Sequence, residues 1–385
     1  MSPVQSAQVQ VGQYTADPLA HLPRLHYVVS MTLAYSIPIA CVALLAFSYF
    51  VVRRLTNAWM RGGLALSMTT LLIFLGCKDL ESGSVVSMMT CSLLWMLSIR
   101  LVHQVMLPHE ARSHLKLTDY TLGFLWFFLP ISRRKAAEGG DHLARSRPAW
   151  LLDTATLAVG ALAKQSIAAM SEEWLVGCLE GVEGGGNALR SDYWLTLQFM
   201  LIWAVNLFSM TFVQDMQMAL VSLLSLDRYE MLPFNDWAIT STSLREFWGR
   251  RYNRLVSTLL HQSVFTPLKE QPGLSSAGAA MAAFLVSGLL HMHVAVVTFS
   301  ASPFPALMFF VLNGVGCYLE ARLKLDKRLP APVGMLLTHA VLLGLSPLYP
   351  ALFVYAGPQF YHDNPSGTQP LVRLPVPPLC PHKIV

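Results

Sequence analysis

Stretches of about 20 apolar residues recur along this chain, and a helix of that length crosses roughly 30 Å of hydrocarbon. They fall near 27–51, 62–77, 84–102, 150–170, 193–224, 275–299, 303–321 and 332–356. Backbone N–H and C=O groups find no water inside a bilayer, so each block must close its own hydrogen bonds as a helix. The chain is therefore expected to be all-α and polytopic, with about eight transmembrane helices. Composition agrees: 54% of the 385 residues are hydrophobic and 13% charged, against about 25% charged in a soluble domain. The blocks leave little chain for a separate soluble domain. Residues 27–356 are read as one membrane-embedded unit, between a polar segment 1–26 and a Pro-rich tail 357–385.

Two stretches are less regular. The block at 150–170 carries Asp153 and Lys164, which lie nearly on one helix face and suit a polar seam or an interfacial helix. The stretch 107–130 begins with His109, Glu110, Arg112, His114 and Lys116 and ends in LGFLWFFLP; it reads as an amphipathic helix on the membrane surface. Charge then orients the spans. The segments 52–61, 103–149, 225–274 and 322–328 hold twenty of the 27 Lys and Arg, and the opposite side holds five. Basic loops stay in the cytosol, so 225–274 is expected there and 171–192, rich in Glu and Asp, in the lumen of an internal membrane such as the endoplasmic reticulum. Eight spans put both termini on the lumenal side.

The six cysteines, Cys41, Cys77, Cys91, Cys178, Cys317 and Cys380, form no C-x-x-C pair, and are read as small buried apolar residues rather than disulfide partners or metal ligands. The first 26 residues lack a basic region leading into a short apolar one, so no cleavable signal is expected and the first span inserts the chain. No phosphate loop, dinucleotide fingerprint or H-E-x-x-H is present, and no bound cofactor, metal or nucleic acid is expected. The tail 365–385, with Pro375, Pro377, Pro378 and Pro381, reads as extended and disordered.

Chemistry concentrates in two places. The loop Leu224–Leu268 interleaves Phe234, Trp237, Phe247, Trp248, Tyr252 and Phe265 with Arg245, Arg250, Arg251 and Arg254. Rings at headgroup depth with guanidinium groups reaching water suit an interfacial or re-entrant helix near 241–262, capped by Ser241 or Thr242. On those features alone it could equally be a surface anchor without chemistry. The next span holds His291 and His293, and ionisable residues at bilayer depth are costly and functional by default. Two apart on a helix, they point about 200° away from each other and cannot line one site. A histidine there, like His339 in the last span, could also merely bridge helices.

The run F-W-G-R-R-Y-N, preceded by T-S-T-S-L-R-E and followed about 35 residues later by S-G-L-L-H, resembles the wax-synthase domain of the membrane-bound O-acyltransferase superfamily. The resemblance covers roughly 225–315. It implies transfer of an acyl group from a coenzyme A thioester to a hydroxyl, with His291 as the family's histidine and Asn253 as its polar partner. Met292 stands where such domains commonly carry an acid after the histidine, and Tyr252 where a tryptophan is usual. A proline expected early in the motif is absent from Phe234-Asn235-Asp236-Trp237. This drift resembles the branch of fungal secondary-metabolite pathways whose members acetylate terpenoid or meroterpenoid alcohols.

The residues suit that reaction. A positioned imidazole can take a proton from an alcohol as it attacks the thioester, and the Asn253 amide could donate to the oxyanion. Arg250, Arg251 and Arg254, with Trp248, could hold acyl-CoA on the cytosolic side, although the positive-inside bias explains the arginines equally well. Acetyl-CoA or another acyl-CoA is the expected co-substrate, and a hydrophobic alcohol and the lipid bilayer the expected partners. Two alternatives stand beside the acetyltransferase: a long-chain-alcohol or sterol O-acyltransferase, and a transporter or scaffold. The last would show paired broken helices in the two halves, and no such symmetry is visible.

Overall fold

A computed structural model describes residues 36–126, 130–134, 147–179, 193–356, 360, 370–378 and 380. Residues 1–43 and 44–385 separate as two units, and the packing below is that of the second. The polar segment 1–26, the acidic loop from 180 to 192 and much of the tail lie outside the described residues.

The long helices are α1 (Ile37–Phe50), α2 (Ala58–Cys77), α3 (Val85–Met106), α6 (Arg147–Leu179), α7 (Tyr193–Ser209), α8 (Phe212–Leu224), α10 (Ser276–Phe299), α11 (Pro303–Leu323) and α12 (Ala331–Leu345). Shorter elements are α4 (His109–His114), α5 (Leu117–Leu125), α9 (Arg254–Leu260), β1 (Ile131–Arg133) and β2 (Tyr229–Met231). Polar side chains start the spans by accepting orphan N–H groups: Asn57 from Trp59 and Met60, Ser84 from Val86, and Ser275 from Gly278. The expected amphipathic helix at 107–130 is instead two short helices, α4 and α5, broken at Leu115–Lys116.

Seven helical stretches among the described residues are long and apolar enough to cross a membrane: Ile37–Arg54, Ala58–Cys77, Val85–Met106, Tyr193–Leu224, Ser276–Phe299, Pro303–Leu323 and Ala331–Leu348. The chain is an all-α polytopic membrane protein. Helix α6 is not among the seven, because Asp153, Lys164, Glu172 and Glu173 dilute its apolar content. It still runs antiparallel beside α7 and α8 throughout. Trp150 Nε1 donates to Ser222 Oγ at 2.8 Å, Lys164 pairs with Asp215, and Asn206 Nδ2 donates to Ser171 Oγ at 3.2 Å. Leu175 and Cys178 then share a core with Phe199 and Met200. Helix α6 thus keeps pace along its length with the apolar stretch Tyr193–Leu224. Lys164 and Asp153, expected on one seam, have different surroundings: Asp153 borders the cavity that Arg254 lines. The span expected as continuous over 193–224 breaks between α7 and α8.

The loops sort to two sides. On one, β1 pairs antiparallel with β2, Ile131 opposite Met231. On the other, Gly83 N donates to Thr298 O at 2.6 Å and Ser82 Oγ lies 2.9 Å from Ser300 Oγ. That second side corrects one reading. Cys178 and Cys380 are joined in a disulfide, with Cα atoms 5.3 Å apart at a sequence separation of 202. The two ends of the loop meet only because the chain returns over the end of α6, where Arg373 also meets Glu173 at 3.1 Å. The described part of the tail is therefore extended but anchored. Cys41, Cys77, Cys91 and Cys317 are free, the last three buried as expected.

The protein denatured without reductant is accordingly expected to take four maleimide–polyethylene glycol adducts, one per free thiol, and six after reduction. Mass shifts on a gel count them; six adducts before reduction would remove the disulfide.

Candidate active site

The loop expected to carry a helix near 241–262 is helical but broken. A turn at Leu244–Glu246 runs into a π-helical turn at Phe247–Arg251, α9 follows, and a second π-helical turn spans His261–Phe265. Such turns are rare and concentrate at functional sites. The cap is Ser243, not Ser241 or Thr242: its Oγ accepts from Glu246 N at 3.0 Å. The Glu246 carboxylate reaches back to Thr242 N (2.9 Å) and Thr242 Oγ1 (3.0 Å), and also holds Arg251 Nε at 2.6 Å. Burial opposes the Glu246 charge, but the Thr242 N–H, the Arg251 guanidinium and the Thr242 hydroxyl outweigh it and hold its pKa below the ordinary value.

This segment is sunk between α11 and α12. Glu320 of α11 is buried and accepts from Leu244 N at 3.0 Å and Arg245 N at 3.1 Å. A Cβ at Gly334 would stand 2.6 Å from the Thr242 carbonyl oxygen, and only glycine admits the backbone this close; one at Gly316 would meet the Leu244 side-chain end at 2.8 Å. Asn253 sits in the left-handed region (φ 43°), where Asn is tolerated. Its Oδ1 accepts from Val256 N at 3.3 Å and so starts α9, while its own N–H donates to Asn235 Oδ1 at 2.9 Å. The Asn253 amide nitrogen has no protein partner among the described residues.

His291 and His293 face apart, as the helix geometry requires. His291 stacks on Phe310 of α11 (4.1 Å between centroids, 25°) and meets Tyr349 edge-on at 5.0 Å. Its Nδ1 lies 2.6 Å from the Ser287 carbonyl. A carbonyl only accepts, so Nδ1 carries the proton and the neutral ring presents a lone pair at Nε2. No protein group among the described residues occupies that nitrogen. His293 has the opposite tautomer: the Trp95 indole, a pure donor, gives its N–H to His293 Nδ1 at 3.0 Å.

The sequence around His291 builds this arrangement. Gly288 lies one turn earlier on the same face. A Cβ there would meet Leu307 Cδ1 at 2.8 Å and Phe310 Cβ at 3.4 Å, so the missing side chain is what lets Phe310 reach the imidazole. Ser287 supplies the carbonyl. The S-G-x-x-H pattern thus encodes orientation as well as identity.

No hydrogen bond or ring contact joins Asn253 to His291. A line of rings connects their surroundings: Tyr252 to Trp248 at 5.5 Å, Trp248 to Phe310 at 5.8 Å, Phe310 to His291. Trp248, expected at acyl-CoA, belongs to that line and spends its N–H on Asn313 Oδ1 at 3.0 Å. Burial pushes the Tyr252 phenol up to about 12. The three arginines separate. Arg251 is held by Glu246 and by the Asp236 carbonyl at 3.1 Å, Arg254 lies 4.0 Å from Asp236 and lines a cavity of about 380 Å³, and Arg250 is exposed without a partner among the described residues.

Tyr349, Phe310, Asn313 and Glu320 were not foreseen. Aromatic residues in apolar helices look like core, and only Glu320, an acid inside a predicted span, carried a legible signal. Among the described residues one group could hold a metal ion: Cys77, Cys91 and His293 bring ligand atoms within 4.8 Å of one another. The Trp95 N–H already occupies His293 Nδ1.

Residues 232–312 match the Membrane bound O-acyl transferase family. A probable long-chain-alcohol O-fatty-acyltransferase 2 of Arabidopsis thaliana is 40% identical over 111 residues, covering 27% of this chain and 32% of that protein. The long-chain-alcohol O-fatty-acyltransferase of Simmondsia chinensis is 35% identical over 108 residues, 26% of this chain and 30% of its own length. Acyl-CoA–sterol O-acyltransferase 1 of Arabidopsis thaliana is 31% identical over 101 residues, 25% and 29%. The matched stretch spans less than a third of each of these relatives.

Because Gly288 is overlaid by Leu307 and Phe310, Gly288→Ala is expected to cost about 1–3 kcal/mol through overpacking. Gly249→Ala, whose Cβ would enter open space, should leave the unfolding temperature in detergent unchanged. Equal melting curves for Gly288→Ala and the parent protein would refute this packing.

Proposed function

We propose that this chain, whose residues 232–312 are a wax-synthase-like region of the membrane-bound O-acyltransferase family, moves an acyl group from a coenzyme A thioester to the hydroxyl of a lipid-soluble alcohol. The observation that carries the reading is the fixed His291 tautomer, with Nε2 unoccupied beside Phe310 and Tyr349. Nε2 takes the hydroxyl proton as the oxygen attacks the thioester carbonyl. The tetrahedral oxyanion collapses, the carbon–sulfur bond breaks, and the departing thiolate recovers the proton from the imidazolium. We assign the Tyr349 hydroxyl, on the ring that meets His291 edge-on, as the donor to the oxyanion, and we assign Asn253, which no contact joins to His291, a positioning role at the start of α9. Of the motif's three arginines, Arg250 and Arg254 are those left to meet the coenzyme's diphosphate.

We assign acetyl-CoA as the donor and a terpenoid or meroterpenoid alcohol as the acceptor, from the departures at Met292, Tyr252 and Phe234–Trp237. The second reading, a long-chain or sterol ester synthase, is favoured by the names of the matched relatives. Microsomes given labelled acetyl-CoA or palmitoyl-CoA, with terpenoid alcohols, hexadecanol and a sterol, separate them. His291→Ala should lower product formation about 10²–10⁴-fold at equal protein level, while His293→Ala keeps a substantial fraction. Near-normal turnover by His291→Ala would sink the mechanism. Esters formed only from palmitoyl-CoA would replace the acetyl reading by the second.

The site opens toward the cytosol of the endoplasmic reticulum in this reading. Two independent features support it: the twenty-to-five division of Lys and Arg, and the disulfide on the opposite side, which needs an oxidising compartment. Glycosylation sequons placed in 171–192 should be modified and those in 225–274 should not. Modification of the second set alone would invert the orientation.

A further inference from the structure

Away from the histidines, four arginines meet where α1, α2 and α4 end on the β1–β2 side. Arg53, Arg54 and Arg112, with Thr56, His109 and Ser113, line a cavity of about 280 Å³. Arg61 and Arg112 are 6% and 5% exposed. Every acceptor these guanidinium groups find is a neutral carbonyl: Arg53 donates to Leu115 O (2.8 Å) and Arg112 O (3.3 Å), Arg61 to Leu55 O (2.9 Å), Arg112 to Leu107 O (2.9 Å). Arg53 also lies over the Tyr49 ring at 3.7 Å. No carboxylate pairs with any of the four among the described residues, and Arg61 Nε is buried without an acceptor.

The positive-inside bias accounts for basic residues on this side, but it places them in water. It does not account for two buried cations close enough to oppose each other. Burial, then the charges of Arg61 and Arg53, hold the Arg112 pKa below its ordinary value. Buried charges persist when they are paired, and among the described residues no side chain supplies the pairing charge. The cavity also opens at interface depth: Trp59 is 90% exposed at the start of α2, and Phe50 is half exposed at the end of α1, the pattern of a headgroup-level belt.

We propose that this cavity binds a phosphate monoester at the membrane surface. Guanidinium forks match phosphate oxygens in pairs, and a dianion supplies the countercharge that Arg61 and Arg112 lack. Arg54, exposed and without a partner among the described residues, closes on the ligand from the water side. The phosphate belongs either to a lipid headgroup such as phosphatidic acid or to the 3′-phosphate of coenzyme A.

Thermal unfolding of the purified full chain in neutral detergent tests this without any activity assay. Dioctanoyl phosphatidic acid and 3′,5′-adenosine diphosphate are the two probes, and dioctanoyl phosphatidylcholine is the control. At least one of the two probes should raise the unfolding temperature saturably, and which one does so identifies the source. Arg54→Gln, which removes no internal contact, should weaken that response at least tenfold in apparent affinity while leaving the ligand-free melt unchanged. No rise with either probe, or an equal rise in Arg54→Gln, would overturn the proposal.

Discussion

A chain that interrupts a helix among membrane spans must satisfy every N–H and C=O it releases from within the protein. Besides the Ser243 cap, four side chains do this for the segment from Phe234 to Lys269. Glu320 takes two N–H groups at the start of the motif turn, Glu246 takes Thr242, Asn235 takes Asn253 N, and Asn253 takes Val256 N. Two backbone pairs, Asp236 N to Arg251 O and Arg254 N to Phe234 O, both 2.7 Å, tie the two ends of the motif turn together. Glu320 has no arginine or lysine partner among the described residues; its charge is met by N–H dipoles at a helix start, an arrangement that stabilises anions. The irregular shape that brings Trp248 and Tyr252 against α10 and α11 therefore hangs on acids and amides drawn from several elements.

The intramembrane histidines show how one helix can give two identical side chains different chemistry. Nothing distinguishes the rings themselves. The Ser287 carbonyl forces the proton onto one nitrogen of His291, and the Trp95 N–H forces it onto the other nitrogen of His293. One ring is left with an unoccupied lone pair on the Phe310 side, and the other is consumed in packing α10 against α3. Neighbours, not residue type, decide which is chemically available.

What the sequence discloses follows from contrast. Long apolar blocks stand out from loops, and a histidine or a basic–aromatic run stands out from an apolar background, so the spans, His291 and the 225–274 loop were all legible. The Phe310 stack, the Tyr349 edge and the Trp248–Asn313 hydrogen bond were not, because apolar and amide residues inside apolar helices give no contrast. Helix interruptions were also hidden. The break at Met210–Thr211 and the π-helical turn at Phe247–Arg251 depend on partners far away in sequence, and the cap fell on Ser243 because Glu246 could reach Thr242. The disulfide was missed for the same reason, since nothing local to Cys178 announces Cys380.

Between those two cysteines the chain crosses the layer four times, through α7 with α8, then α10, α11 and α12. An even number of crossings returns a chain to the side it left; an odd number does not. If any one of the four failed to insert, or a surface helix inserted in its place, Cys380 would emerge across the bilayer from Cys178, out of reach by the whole thickness of the hydrocarbon. The covalent bond is thus a parity check on biogenesis. It can close only on molecules in which an even number of those helices has crossed, so an oxidised tail marks a chain whose second half begins and ends on one side.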